Sequence, residues 1–206
     1  MISALQALVS LREGNRRFVA ALGSDTAANG RRRVLPAGQE PFAIILGCSD
    51  ARVPAEIVFD QGLGDLFVIR VAGNIVAPSQ VGSVEFAAEA FGTRLVVVLG
   101  HSSCGAIHAT LEQLARPSQQ QSRSLRSIVD RIRPAVEGLI ERGAGGDRDA
   151  LVRAAVRANI RMSADHLRHG SRLLEQAIER DGLLVVGAEY SLESGVVEFF
   201  DGVPQD

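Results

Sequence analysis

The chain has almost no net charge: 22 Lys and Arg stand against 24 Asp and Glu, a formal −2 at neutral pH. No field of one sign is strong enough to predict binding to nucleic acid or to a membrane surface, and a small neutral or anionic partner stays open. Long apolar runs are missing as well. Residues 42–46 and 95–99 are only strand-sized, against the ~18 residues needed to cross a bilayer. The start of the chain lacks the apolar core of a signal peptide. Residues 3–17 read instead as an amphipathic helix with Arg12, Glu13 and Arg16 among the apolar positions, so a cytoplasmic location is expected. Cysteine is scarce, with two in the chain. In a reducing compartment they read as ligands or free thiols, and a Cys48–Cys104 disulfide is the alternative that sequence separation does not remove.

What is present fits an ordinary globular protein. Hydrophobic residues make up 46% and charged residues 22%, which excludes a wholly disordered or fibrous chain. A length of 206 residues suits one domain over 1–206, with residues 1–40 as an N-terminal helical arm and connector. Arg31, Arg32 and Arg33, beside Pro36 and Gly38, read as a solvated part of that connector.

Short apolar runs alternate with helical stretches, which predicts an α/β fold with a mainly parallel central sheet flanked by helices. Strands are expected at 42–47, 66–71 and 95–100, all buried, and at 183–190 and 196–200. The last two are joined through Ser194 and Gly195 as a C-terminal antiparallel edge hairpin. Helices are expected at 79–91 with Ser79 as a cap, and at 104–114, 125–142, 149–167 and 171–180. Polar breaks fall at 117–124 and 143–146, and Pro134 should kink or restart its helix.

The chemistry sits at two strand ends. Cys48-Ser49-Asp50-Ala51-Arg52 follows the first strand, and His101-Ser102-Ser103-Cys104-Gly105 follows the third. Ligands in open α/β sheets bind where strand carboxyl ends meet at a switch point, so both clusters can share one crevice. Two thiolates and one imidazole suit Zn²⁺, one ion per chain. Three protein ligands leave a fourth position for a water that the metal acidifies. Asp50 stands where it could bind the metal itself, but Arg52 can hold its carboxylate in a bidentate pair and leave it to orient that water. A plain loop salt bridge is the alternative. Gly62-Leu63-Gly64 lacks the third glycine and the helix of a dinucleotide loop.

With these residues, the sequence resembles the β-class carbonic anhydrases, whose signature is Cys-x-Asp-x-Arg followed by His-x-x-Cys. The likeness extends through 53–56, 64–70, Gly73-Asn74, Gly105-Ala106 and Gly187-Ala188 to the terminal hairpin. It implies reversible hydration of carbon dioxide to bicarbonate and a proton, by attack of zinc-bound hydroxide, in a homodimer or homotetramer. It also implies a substrate-binding glutamine from the neighbouring subunit, for which Gln61 is the candidate. Gly105 would let a backbone N–H approach the forming bicarbonate, and Phe86 would wall the apolar pocket that carbon dioxide needs. His108, one helical turn beyond Cys104, is read as structural.

Two anionic thiolates should weaken the pull of zinc on its water relative to three histidines, so activity is expected to rise toward alkaline pH. Some family members also bind regulatory bicarbonate through a tryptophan, an arginine and a tyrosine. Arg70 matches the arginine, while Ile45 and Phe86 stand at the other two positions, so no such binding is expected. Carbon disulfide or carbonyl sulfide hydrolysis on the same fold is the alternative activity, and a non-catalytic zinc-binding regulatory protein is the alternative class.

Overall fold

The computed structural model describes residues 2–21, 38–117, 122–141 and 147–204. The arginine cluster at 31–33 and the break at 143–146 lie outside these residues, as does part of that at 117–124. Five strands form one sheet in the order β2-β1-β3-β4-β5. They are β1 (Ala43–Gly47), β2 (Leu66–Arg70), β3 (Leu95–His101), β4 (Leu184–Tyr190) and β5 (Val197–Asp201). The first four run parallel, and β5 pairs antiparallel with β4. The helices are α1 (Ala4–Ala21), α2 (Ala55–Val58), α3 (Pro78–Ala90), α4 (Gly105–Ala115), α5 (Arg123–Glu141), α6 (Arg148–His169) and α7 (Arg172–Arg180).

Strands β1 and β3 are buried at every residue, because helices cover both faces of the sheet and leave no side for polar residues. Strand β2 departs from the expectation of full burial. As an edge strand it is buried at Leu66 and Ile69, partly buried at Phe67 and Val68, and exposed at Arg70. Alternation along the strands divides the core in two. Ile44, Leu46, Val96 and Val98 pack beneath α3, α4, α5 and α6, while Ile45, Val97 and Leu99 pack with α1 and α2.

Helix α1 belongs to that second layer: Ala4, Ala7, Leu8 and Leu11 recur at helical spacing and are buried. Its buried Asn15 donates to the carbonyls of Val58 and Gly195 and accepts from Val197 N–H. Helix α3 begins earlier than its Ser79 cap predicts. Ala77 is the cap without a side-chain bond, and Pro78 occupies the first turn, where a missing N–H costs nothing. Pro134 neither breaks nor restarts α5, which runs through it. The proline is exposed, and Val129, Ile132 and Val136 anchor the helix on both sides. The four-residue α2 and the 3₁₀ turn Ala72–Asn74 are too short for periodicity to reveal.

Candidate metal centre

Strand order reverses between β1 and β3, which are hydrogen-bonded neighbours. The segments leaving their carboxyl ends therefore emerge side by side. One carries Cys48 and the other His101 and Cys104, and all three residues are buried. Their donor atoms lie within 4.8 Å of one another, and the two sulfurs are 4.0 Å apart. Two thiolates about 2.3 Å from a tetrahedral zinc stand roughly 3.8 Å apart, so the pair fits one ion with little movement. Both cysteines are free thiols, so the disulfide alternative is not what the structure holds.

The imidazole is set for the same purpose. His101 Nδ1 lies 2.9 Å from the Ser102 carbonyl, which fixes the proton on that nitrogen and leaves the lone pair on Nε2. Nε2 is buried without a hydrogen-bond partner, a costly state for a polar atom unless a ligand is meant for it. The donor set, its spacing and this orphaned nitrogen fit a borderline-soft metal ion such as zinc.

Backbone and neighbours set the charges. A hydrogen bond with Cys104 draws Cys48 down to about 4 against its burial, helped by His101 and by the Gly73 and Asp50 backbone. That shared bond and burial push Cys104 up, although the Ile107 and Ala106 backbone at the start of α4 opposes them. For His101, burial pulls down, but the nearby Cys48 sulfur and the Ser102 carbonyl leave it raised.

Asp50 lies at the rim. Its Oδ2 is 3.8 Å from His101 Nε2 and accepts from Arg52 Nη2 at 2.7 Å, while Oδ1 accepts from Arg52 Nε at 2.9 Å and Arg52 N–H at 3.0 Å. The hydrogen bonds from Arg52 outweigh desolvation and hold the carboxyl well below the usual range. The paired geometry expected from the two-residue spacing is therefore present.

Other expected site residues are less closely gathered. Gly105 opens α4, and a Cβ there would meet nothing within 4 Å. Phe86 is 55% exposed on α3, its ring 6.1 Å from Phe67 and 5.6 Å from Phe91. Gln61 donates to the Phe59 carbonyl at 2.6 Å and lies beneath α1, where a Cβ on Gly14 would sit 2.6 Å from its amide nitrogen. His108 is outside the metal-capable cluster, lining a cavity of about 570 Å³ with Ser102, Ser103, Arg153 and Glu189. That cavity and another of about 590 Å³ between α3, α5 and α6 are lined by none of the three metal-capable residues.

The pairing of Phe86 with Arg70 and Ile45 needs correction. Ile45 belongs to the layer beneath α1, whereas Phe86 packs with Phe67 and Phe91 on the other face of the sheet. Phe86 therefore cannot complete one pocket with them, and the lone tyrosine, Tyr190, lies in the Ile45 layer with Phe18, Phe42, Phe59 and Phe199. The sequence reading also missed what braces the first loop. Arg70 donates through Nε to the Cys48 carbonyl at 3.0 Å and through Nη2 to the Asp50 carbonyl, and Gly73 N–H donates to Cys48 Sγ at 3.4 Å. An exposed Arg ending a buried strand was the available signal.

Comparison with known proteins agrees with this geometry. The carbonic anhydrase family profile matches residues 43–197. Carbonic anhydrase 2 of Mycobacterium tuberculosis is 38% identical over 189 residues, covering 90% of this chain and 87% of the relative. Carbonic anhydrase of Mycolicibacterium smegmatis is 38% identical over 190 residues, covering 92% and 89%. Among solved structures, the β-carbonic anhydrase CafA of Aspergillus fumigatus superposes with a TM-score of 0.73 at 26% identity, covering 83% of this chain and 80% of that one. The β-carbonic anhydrase CcaA gives 0.71 at 26% identity, covering 96% and 93%.

Proposed function

Because this chain belongs to the β-carbonic anhydrase family, we propose that it catalyses the reversible hydration of carbon dioxide to bicarbonate and a proton, using one zinc ion held by Cys48, His101 and Cys104. The observation that carries the reading is the buried cluster of two sulfurs and the unpartnered Nε2 within 4.8 Å. Zinc with three protein ligands offers a fourth position at which water becomes acidic enough to serve as a nucleophile.

The chain's own residues then divide the work. Asp50, kept anionic by Arg52, accepts a hydrogen bond from a water beside His101 Nε2 and sets its orientation. Both carboxylate oxygens are tethered by Arg52, so the acceptor is fixed before substrate arrives. Gly105 presents the start of α4 to open space, where backbone N–H groups and the helix dipole favour the negative charge that develops on bicarbonate. Phe86 keeps its reading as an apolar wall suited to carbon dioxide, although its ring neighbours in the structure are Phe67 and Phe91. Gln61 is the glutamine that a neighbouring subunit would offer to substrate: one N–H of its amide donates to the Phe59 carbonyl, and the second N–H and the amide oxygen stay available.

The working unit in this reading is a homodimer or a homotetramer. Ile2, Leu5 and Val9 form an exposed apolar stripe along the start of the chain, and Ile57, Leu63 and Phe86 are exposed as well. Among the described residues, strand β2 ends the sheet with one edge unpaired. A second copy covers such surfaces at low cost. Two free cysteines suit a reducing cytoplasm, and among the described residues no helix is long and apolar enough to cross a membrane.

Stopped-flow carbon dioxide hydration on protein of measured zinc content tests the reading, with carbon disulfide consumption assayed in parallel. Hydration that scales with zinc supports it. Zinc-loaded protein that consumes carbon disulfide and leaves carbon dioxide untouched overturns it.

A further inference from the structure

Cys48 Sγ accepts a hydrogen bond from Gly73 N–H at 3.4 Å, and Gly73 sits in an unusual piece of backbone. Its φ is +71°, and Asn74 follows at +43°. Glycine takes up this region freely, whereas a non-glycine residue such as Asn74 is uncommon there. No side chain fits at Gly73, since a Cβ would lie 2.9 Å from Ile132 Cδ1 and 3.0 Å from Ala106 Cβ.

Among the described residues, a side-chain donor from a distant helix also reaches this turn. Asn159 on α6, only 2% exposed, donates from Nδ2 to the Gly73 carbonyl at 2.8 Å across 86 residues of sequence. Its approach depends on the neighbouring Ile160 closing onto the sheet at Gly100, where a Cβ would stand 2.5 Å from Ile160 Cδ1. An amide at a buried position surrounded by Val152, Ala155, Val156 and Ile160 is unfavourable compared with an apolar side chain, unless its hydrogen bond serves something.

We propose that Asn159 is a positioning residue for the metal centre: by fixing the Gly73 carbonyl it aims the Gly73 N–H at Cys48 and so sets the position and donor strength of that sulfur. An N–H bond to a thiolate draws charge from the lone pairs that would otherwise go to the metal, and such outer contacts tune ligand basicity and affinity. The inference rests on the ligand set proposed above, and the experiment separates the two.

Wild-type protein, Asn159→Leu and the milder Asn159→Ser are loaded with cobalt(II), and the sulfur-to-metal charge-transfer band is recorded. Zinc affinity is measured by competition with a chromophoric chelator. Val156→Ala on the same helix serves as a core change that touches neither bond. Both Asn159 variants are expected to move the band to longer wavelength and to weaken zinc binding about tenfold, while Val156→Ala lowers only the melting temperature. In cadmium-113-loaded wild type, the Gly73 amide proton is expected to show scalar coupling to the metal through the sulfur, a result that needs no variant. Folded Asn159→Ser with the wild-type band and affinity overturns the inference, as does an absent Gly73 coupling. Wild-type protein that binds neither cobalt nor zinc overturns the ligand set itself.

Discussion

The two segments that supply the metal-capable residues are built differently. The segment after β3 is secured mainly by its own neighbours in the fold. Ser102 N–H donates to the Tyr190 carbonyl, Leu192 N–H donates to Ser102 Oγ, and Cys104 is the N-cap of α4. The segment after β1 has backbone bonds too, from Ser49 N–H to the Val71 carbonyl and from Val53 N–H to the Asp50 carbonyl, but its functional groups are held by further polar contacts. Arg70 of β2 holds its Cys48 and Asp50 carbonyls, Gly73 donates to its sulfur, and Arg52 ties its carboxylate. Regular structure fixes His101 and Cys104, whereas Cys48 and Asp50 are held largely by the side chains of Arg70 and Arg52, which single substitutions remove. The half held by side chains is therefore where metal affinity and activity can be tuned without unfolding the protein.

The largest effects should ignore this difference. Cys48→Ser, His101→Ala and Cys104→Ser are each expected to lose zinc and carbon dioxide hydration together, since removing any of three ligands opens the site. Elemental analysis beside stopped-flow kinetics checks it. Full zinc occupancy in all three variants would contradict the ligand set.

Asp50→Asn and Arg52→Ala come next and act on the first segment alone. Both should keep zinc while hydration falls about 10- to 100-fold, as is typical when a group that orients a metal site is lost. In Arg52→Ala the freed carboxylate, 3.8 Å from His101 Nε2, is expected to move onto the metal and slow exchange of the fourth ligand. Wild-type rates in both variants would reduce the pair to a loop salt bridge.

A direct contrast of the two segments follows. Arg70→Ala removes two hydrogen bonds from the first segment and should weaken zinc binding roughly tenfold. Ser102→Ala removes one bond from the second and should cost stability of about 1 kcal/mol with zinc affinity unchanged. Equal losses of affinity would erase the distinction between the segments.

Much of this was legible in the sequence for physical reasons. Central strands buried on both faces leave continuous apolar runs, so β1 and β3 stood out, and the spacing of Cys48, Asp50 and Arg52 displayed the paired geometry directly. Long-range polar contacts leave no such trace. Nothing in the neighbours of Asn159 announces a partner 86 residues away, and an arginine ending a strand does not say that it holds a carbonyl 22 residues back. The place of Phe86 was misjudged because linear matching does not say which face of a sheet a helix covers. Pro134 misled for a related reason: whether a helix survives a proline depends on the packing around it, and the packed face at Val129, Ile132 and Val136 is decided by tertiary structure.

The smallest effect concerns acid. Arg52 depresses the Asp50 carboxyl in the folded protein, so the pair contributes stability above the unfolded carboxylate value of about 4 and loses it as pH falls through the folded one. The carboxyl is expected to titrate well below its ordinary range by NMR in wild type and to return toward it in Arg52→Ala. An ordinary titration in wild type would mean that the pair is not held in solution.

X-ray absorption at the zinc edge tests the central assignment most directly, because it counts the atoms around the metal. Two sulfurs at about 2.3 Å and two lighter atoms at about 2.0 Å are predicted for wild type, with one sulfur lost in any zinc retained by Cys48→Ser. A shell of nitrogen and oxygen alone, or one that Cys48→Ser leaves unchanged, would contradict the account.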